Sequence, residues 1–201
     1  MRVCTLPTSL ALLSLGLLAL PCCATTAPST GASGPPSEVA LDYYPLLPGW
    51  GWAYEIERDS TKVLALYSVI ERSADLAIVK NVDDRIEYAI RPEGIARRNG
   101  MLPEDYVLKN PVRMGTDWPV ASGEAKVVAV GQIVTLPSGT YRDCVVVEET
   151  RHDPDRVTRT TYSRDAGPIE IEMRVFNPIK TAFEVTARAR ILSVTRPEDA
   201  P

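Results

Sequence analysis

From Trp52 to Val194 the apolar residues recur with period two, in short blocks broken by turn residues every eight to twelve positions. That pattern predicts strands, with little helix outside the N-terminal segment. Trp52, Tyr54 and Ile56 alternate with Ala53, Glu55 and Glu57, as in a half-buried strand. Residues 62–70 are apolar on both parities, Val63, Ala65, Tyr67 and Val69 against Leu64, Leu66 and Ile70, and predict a strand covered on both faces. Further strands are predicted over 76–79, 86–90, 126–136, 141–150, 157–163, 169–176 and 183–194. Arg91-Pro92-Glu93-Gly94 and Pro137-Ser138-Gly139 supply turns between them. The best helical window is 103–109, where Pro103 suits a first turn and Glu104 and Asp105 suit the positive end of a helix. The fold expected is mainly β, an antiparallel curved sheet or a partly open barrel or sandwich, as a single domain over 41–196 with a disordered tail at 197–201.

Two finer expectations follow from the pattern. In 169–175 and 183–191 the odd positions are apolar and the even ones largely charged. A hairpin that sets Glu172 against Arg188 and Glu170 against Arg190 also sets Met173 against Ala187 and Val175 against Val185. Separately, Pro45, Gly49 and Trp52 recur at the same spacing as Pro111, Gly115 and Trp118. The repeat reads either as two equivalent halves of one sheet or as a reused turn, with the glycine permitting a positive φ and the tryptophan covering the core.

The N-terminus has a different character. Arg2 precedes an apolar run over 10–20, too short to span a membrane but suited to a secretory signal peptide over 1–22. Leu20-Pro21-Cys22-Cys23 resembles the bacterial lipoprotein signal, with Leu20 three residues before Cys23 as the lipidation site; Cys22 is the alternative, and cleavage after Ala24 is the competing outcome. Residues 24–40 are rich in Pro, Ser, Thr and Gly, carry one charge, and have no large hydrophobe before Val39. They predict a flexible tether over 23–40, following the anchor. Cleavage before Cys23 removes Arg2 from the 22 basic residues and none of the 26 acidic ones, taking the charge from −4 to −5. With Cys23 acylated, Cys144 has no disulfide partner.

Several strings along the body look familiar together: Tyr43-Tyr44-Pro45-Leu46 with Gly49, Trp52 and Tyr54; Gly115 with Trp118; the run 136–145, LPSGTYRDCV; and the run 161–167, TYSRDAG. They resemble the TapB-like family of bacterial exported proteins and lipoproteins. The resemblance spans about 43–174 and implies an antiparallel sheet and an envelope location, with no catalytic residues to carry over. Pro119, directly after Trp118, departs from the pattern and suggests an edge strand.

The composition narrows the chemistry. An acidic balance argues against a nucleic-acid partner, and a single histidine leaves little room for imidazole catalysis or zinc. His152, with Asp153 and Asp155, reads as a polar turn rather than a metal site. Cys144 reads as a small hydrophobe in a valine-rich strand. Asp83-Asp84 and Glu148-Glu149 are adjacent pairs, whose members point to opposite faces of a strand. Tyr43, Tyr44, Trp50, Trp52 and Trp118 are either a ligand-binding aromatic surface or plugs of the core. The expectation is a non-enzymatic lipoprotein of the cell envelope, without cofactor or metal, anchored at the outer membrane and facing the periplasm or the surface. Its partner is a protein, or an apolar ligand carried in the concavity of the sheet; a secreted hydrolase using carboxylates is the enzymatic alternative.

Overall fold

The structure, a computed structural model, describes residues 38–82, 84–100, 102–121, 123–151 and 155–199. The signal peptide, Cys22, Cys23, most of the tether, Asp83, His152 and Asp153 lie outside them. A short helix, α1 (Ala40–Tyr43), leads into twelve strands: β1 (Gly51–Arg58), β2 (Thr61–Arg72), β3 (Leu76–Lys80), β4 (Arg85–Arg91), β5 (Gly94–Arg98), β6 (Asp105–Lys109), β7 (Asp117–Val120), β8 (Gly123–Leu136), β9 (Gly139–Arg151), β10 (Arg156–Ser163), β11 (Gly167–Asn177) and β12 (Ala182–Thr195). Pro197–Asp199 add a 3-10 turn. The strands form one antiparallel sheet in the order β6-β5-β4-β3-β2-β1-β12-β11-β10-β9-β8-β7. The sheet curls into a nearly closed barrel with a single unsealed seam between β6 and β7. Side chains bridge that seam. Trp118 Nε1 donates to Tyr106 O at 2.9 Å, and Ala121 N donates to Asp105 Oδ1 at 2.9 Å. Pro119 lies on β7, at the edge of the sheet, where its missing N–H costs no ladder bond.

The Pro–Gly–Trp repeat divides the sheet into halves of six strands, β1–β6 and β7–β12. Gly49 and Gly115 have φ of 89° and 88°. Each opens its half with the same clamp: Gly49 N donates to Val69 O while Val69 N donates to Trp50 O, and Gly115 N donates to Val127 O while Val127 N donates to Thr116 O. Trp52 and Trp118 follow three residues later, both buried and both second in their strand. β1 and β12 join the halves through an unbroken sheet, with one bulge at Ala53/Tyr54.

One row of charge runs across seven neighbouring strands. Lys126, Glu148, Arg159, Glu172, Arg188, Glu57 and Lys62 each stand opposite the next, alternating in sign throughout. A slip of one residue on any strand would put its charge on the other face, so the row specifies register. The expected Glu172–Arg188 and Glu170–Arg190 pairs are present, as is Met173 opposite Ala187. Beyond Met173 the register shifts by one, so Val185 faces Arg174 and not Val175, because an extra residue bulges from β12.

Three other expectations are corrected. Residues 103–109 hold the strand β6, not a helix: Leu108 is buried opposite Ile95 and completes the ladder of β5, so pairing overrides local preference. Asp105 accepts the Ala121 N–H across the seam in place of a helix-terminal contact. β5 was not anticipated as a strand, whereas β7 is the edge strand that Pro119 suggested. Finally, β2 is not covered on both faces over its first half. At the boundaries, Ala40 is buried, and Glu38 O accepts the Val112 N–H, so the body begins a few residues before 41.

Candidate functional site

The aromatic residues singled out in the sequence are all buried. Tyr44, next to the end of α1, sits at the centre of a cluster: 5.6 Å from the Trp52 ring, 5.3 Å from Tyr88 and 6.2 Å from Tyr162. Trp50 stacks on Trp52 at 6.3 Å, and the Arg196 guanidinium lies 5.8 Å from the Trp50 ring. The polar tips end on backbone carbonyls, Trp52 Nε1 on Ala166 O at 2.7 Å and Tyr54 OH on Pro168 O at 2.6 Å. Such geometry belongs to aromatic plugs whose one polar atom is satisfied internally. Tyr43, Tyr44, Trp50, Trp52 and Trp118 are thus part of the hydrophobic core, with Trp50 and Trp52 also lining a groove of about 490 Å³ beside β2. Trp118 lies at the seam, away from the Tyr44 cluster.

What space remains is small. A pocket of about 210 Å³ opens above Tyr44, Tyr88 and Tyr162, with Arg97 and Glu149 among its lining residues. Burial, with the neighbouring tyrosines, pushes the Tyr44 hydroxyl well above its ordinary pKa, and burial raises Tyr88 and Tyr162 too. These phenols can donate and accept hydrogen bonds but do not ionise under ordinary conditions. A wider groove of about 920 Å³ lies outside the barrel, where the 136–145 and 161–167 strings meet. Arg164 bridges them, 3.5 Å from Asp143 and 3.9 Å from Asp42, and Ser163 Oγ donates to Arg142 O at 3.3 Å. The strings that carry the family resemblance thus lock two turns together, and their charges compensate one another.

The nucleophile and acid candidates on β9 have different surroundings. Cys144 is buried, its Sγ 3.7 Å from Arg142 O, and burial pushes its thiol pKa up. Glu148 pairs with Arg159 at 3.5 Å, while Glu149 lines the inner pocket. Among the described residues no three His, Cys, Asp or Glu side chains are grouped to hold a metal.

The exposed half of β2 is a feature that the sequence pattern disguised. β1 pairs with β2 along its whole length without a register break. On the other side β3 pairs only from Ser68 to Arg72, so among the described residues Thr61–Tyr67 are bonded along one edge only. Val63, Leu64 and Leu66 are 52%, 64% and 50% exposed. The corresponding free length of β8, beyond its pairing with β7, is broken by register shifts against β9 between Val127 and Val134. Bulges of that kind blunt an edge; a regular apolar one invites a further strand. The signal in the sequence was the double parity of 62–70, apolar on both faces, of which the sheet leaves the first half exposed.

No protein-family model and no curated protein matches this chain. Among solved structures it is similar to a protein from Bacteroides fragilis inferred to be exported and described as having a YmcC-like fold, with a TM-score of 0.49 and 12% identity over 77% of this chain and 99% of that one. It is also similar to an inferred lipoprotein from Parabacteroides distasonis, with a TM-score of 0.36 and 10% identity over 76% of this chain and 97% of that one. Neither similarity confirms the TapB-like resemblance.

Proposed function

We propose that the chain is a non-enzymatic lipoprotein of the bacterial cell envelope, whose barrel serves as an assembly module held at a membrane by acylated Cys23. The observation that carries the assembly reading is the regular, exposed apolar edge of β2 on a barrel that its own aromatic residues fill. The inner pocket, at about 210 Å³, is smaller than the roughly 300–1,000 Å³ typical of sites for drug-sized ligands, which favours assembly over carriage of an apolar molecule. The tether reading rests on the signal-like run, the Leu20–Cys23 spacing and a spacer with a single charge. Several acyl chains on one cysteine hold a protein firmly, at about 0.8 kcal/mol per buried CH₂. Expression in a Gram-negative host with radiolabelled palmitate tests it. The parent chain is expected to carry label and sediment with membranes, and Cys23→Ala to lose both. Label retained by Cys23→Ala would refute the site.

A further inference from the structure

We infer that the free edge of β2 pairs with the same edge of a second copy, antiparallel about Leu64, to make a closed two-fold dimer; this deepens the assembly reading above by naming the partner. The available edge is bounded. It begins after the Asp59-Ser60 turn and ends at Ser68, where Lys80 of β3 takes over the ladder. Only a register centred on Leu64 uses all seven residues: Thr61 against the second copy's Tyr67, Lys62 against its Leu66, Val63 against its Ala65, and Leu64 against its own equivalent.

Charge and shape suit that register. Lys62 is the one charged residue of the edge, and the two-fold sets it against leucine, with no like charge directly opposite. Its ammonium is already compensated by Glu55 at 2.8 Å, and its alkyl stem can lie along the facing Leu66, whose neighbour on β1 is the small Ala53. The four leucines at 64 and 66 then form one apolar patch on the outer face, and Val63 and Ala65 form another on the inner face. A groove of about 490 Å³, lined by Leu66, Ser68, Lys80 and Val82, lies where β3 ends. It stands where the second copy's Asp59-Ser60 turn would arrive, placing an exposed carboxylate near Lys80. Among the described residues each copy has one such regular apolar edge, so the pairing closes at two. It is smaller than a standard interface, so association is concentration-dependent, and confinement of both copies to one membrane favours it.

Single-cysteine scanning reads the register directly. In an antiparallel pair directly opposed Cα atoms lie about 4.5–5.5 Å apart, within reach of a disulfide. Full-length Leu64→Cys and Leu66→Cys chains, purified from membranes in mild detergent, are oxidised beside the unsubstituted chain and resolved on non-reducing gels. Leu64→Cys is expected to dimerise covalently at least about tenfold faster than Leu66→Cys, whose equivalents would stand roughly 13 Å apart. A mixture of Lys62→Cys and Leu66→Cys chains is expected to cross-link as heterodimers. Equal rates at 64 and 66, or no cross-link above the unsubstituted chain, would overturn the inference. Palmitate labelling of the same preparations separates the two readings, since a labelled chain that does not cross-link loses the dimer and keeps the tether.

Discussion

Glu172 concentrates the electrostatics of the sheet in one side chain. It is buried, and both Arg174 and Arg188 hydrogen-bond its carboxylate. Burial raises its pKa, but the two guanidinium groups outweigh burial and hold it below the ordinary carboxylate value. A carboxylate depressed in the folded state contributes stability that is complete above its unfolded pKa of about 4.3 and is lost as pH falls through the folded value. Glu172→Gln should therefore destabilise the chain by about 1–3 kcal/mol at pH 7. The deficit should shrink below about pH 4, as read by urea denaturation at both pH values; an equal deficit at both would show that charge at this position is not the cause. Cys144 illustrates the opposite case, a group silenced by burial. Peptide mapping after treatment with a thiol reagent at pH 8 should find Cys144 unmodified in the folded chain and modified once denaturant is added.

Gly49 and Gly115 make a test at the level of the element. Both lie in the left-handed region and both precede the strand that starts a half-barrel. Gly115→Ala, with open space around the new methyl group, should cost about 1–2 kcal/mol from the backbone alone. Gly49→Ala should cost more, because its Cβ would stand 3.2 Å from Pro197 Cα. Thermal unfolding of the two variants measures the difference, and equal losses would mean that the Pro197 contact yields freely. The alternating charge row belongs to the same level. It aligns seven strands whose apolar faces alone would leave register less strictly defined.

For the barrel as a whole, the weak point is the seam between β6 and β7, closed by side chains in place of a backbone ladder. Trp118→Ala removes the indole bridge to Tyr106 O together with a buried ring. Loss of such a ring costs about 3–5 kcal/mol. Hydrogen exchange should accelerate first in β6 and β7, ahead of β1 and β12, which close the opposite junction with paired backbone. Uniform acceleration across the sheet would indicate global destabilisation and a seam of no special weakness.

Period-two alternation, the turns after Ile90 and Leu136, and the pairing of Glu172 with Arg188 were all legible along the chain, because strand faces and cross-strand charges are local or nearly local properties. So was the Pro–Gly–Trp repeat, although its meaning was not. Tertiary structure showed that it opens two halves of one sheet, by repeating the same hydrogen bonds to Val69 and Val127. β5 and β6 escaped the pattern because each is only five residues long and its identity depends on the strand it pairs with, whereas Pro119 marked β7 as an edge. The aromatic residues could be named from the sequence, but only the curl of the sheet decided that they face inward. Apolar parity in β2 likewise announced a covered strand. Burial is a property of everything around a strand, and this sheet stops short of covering it.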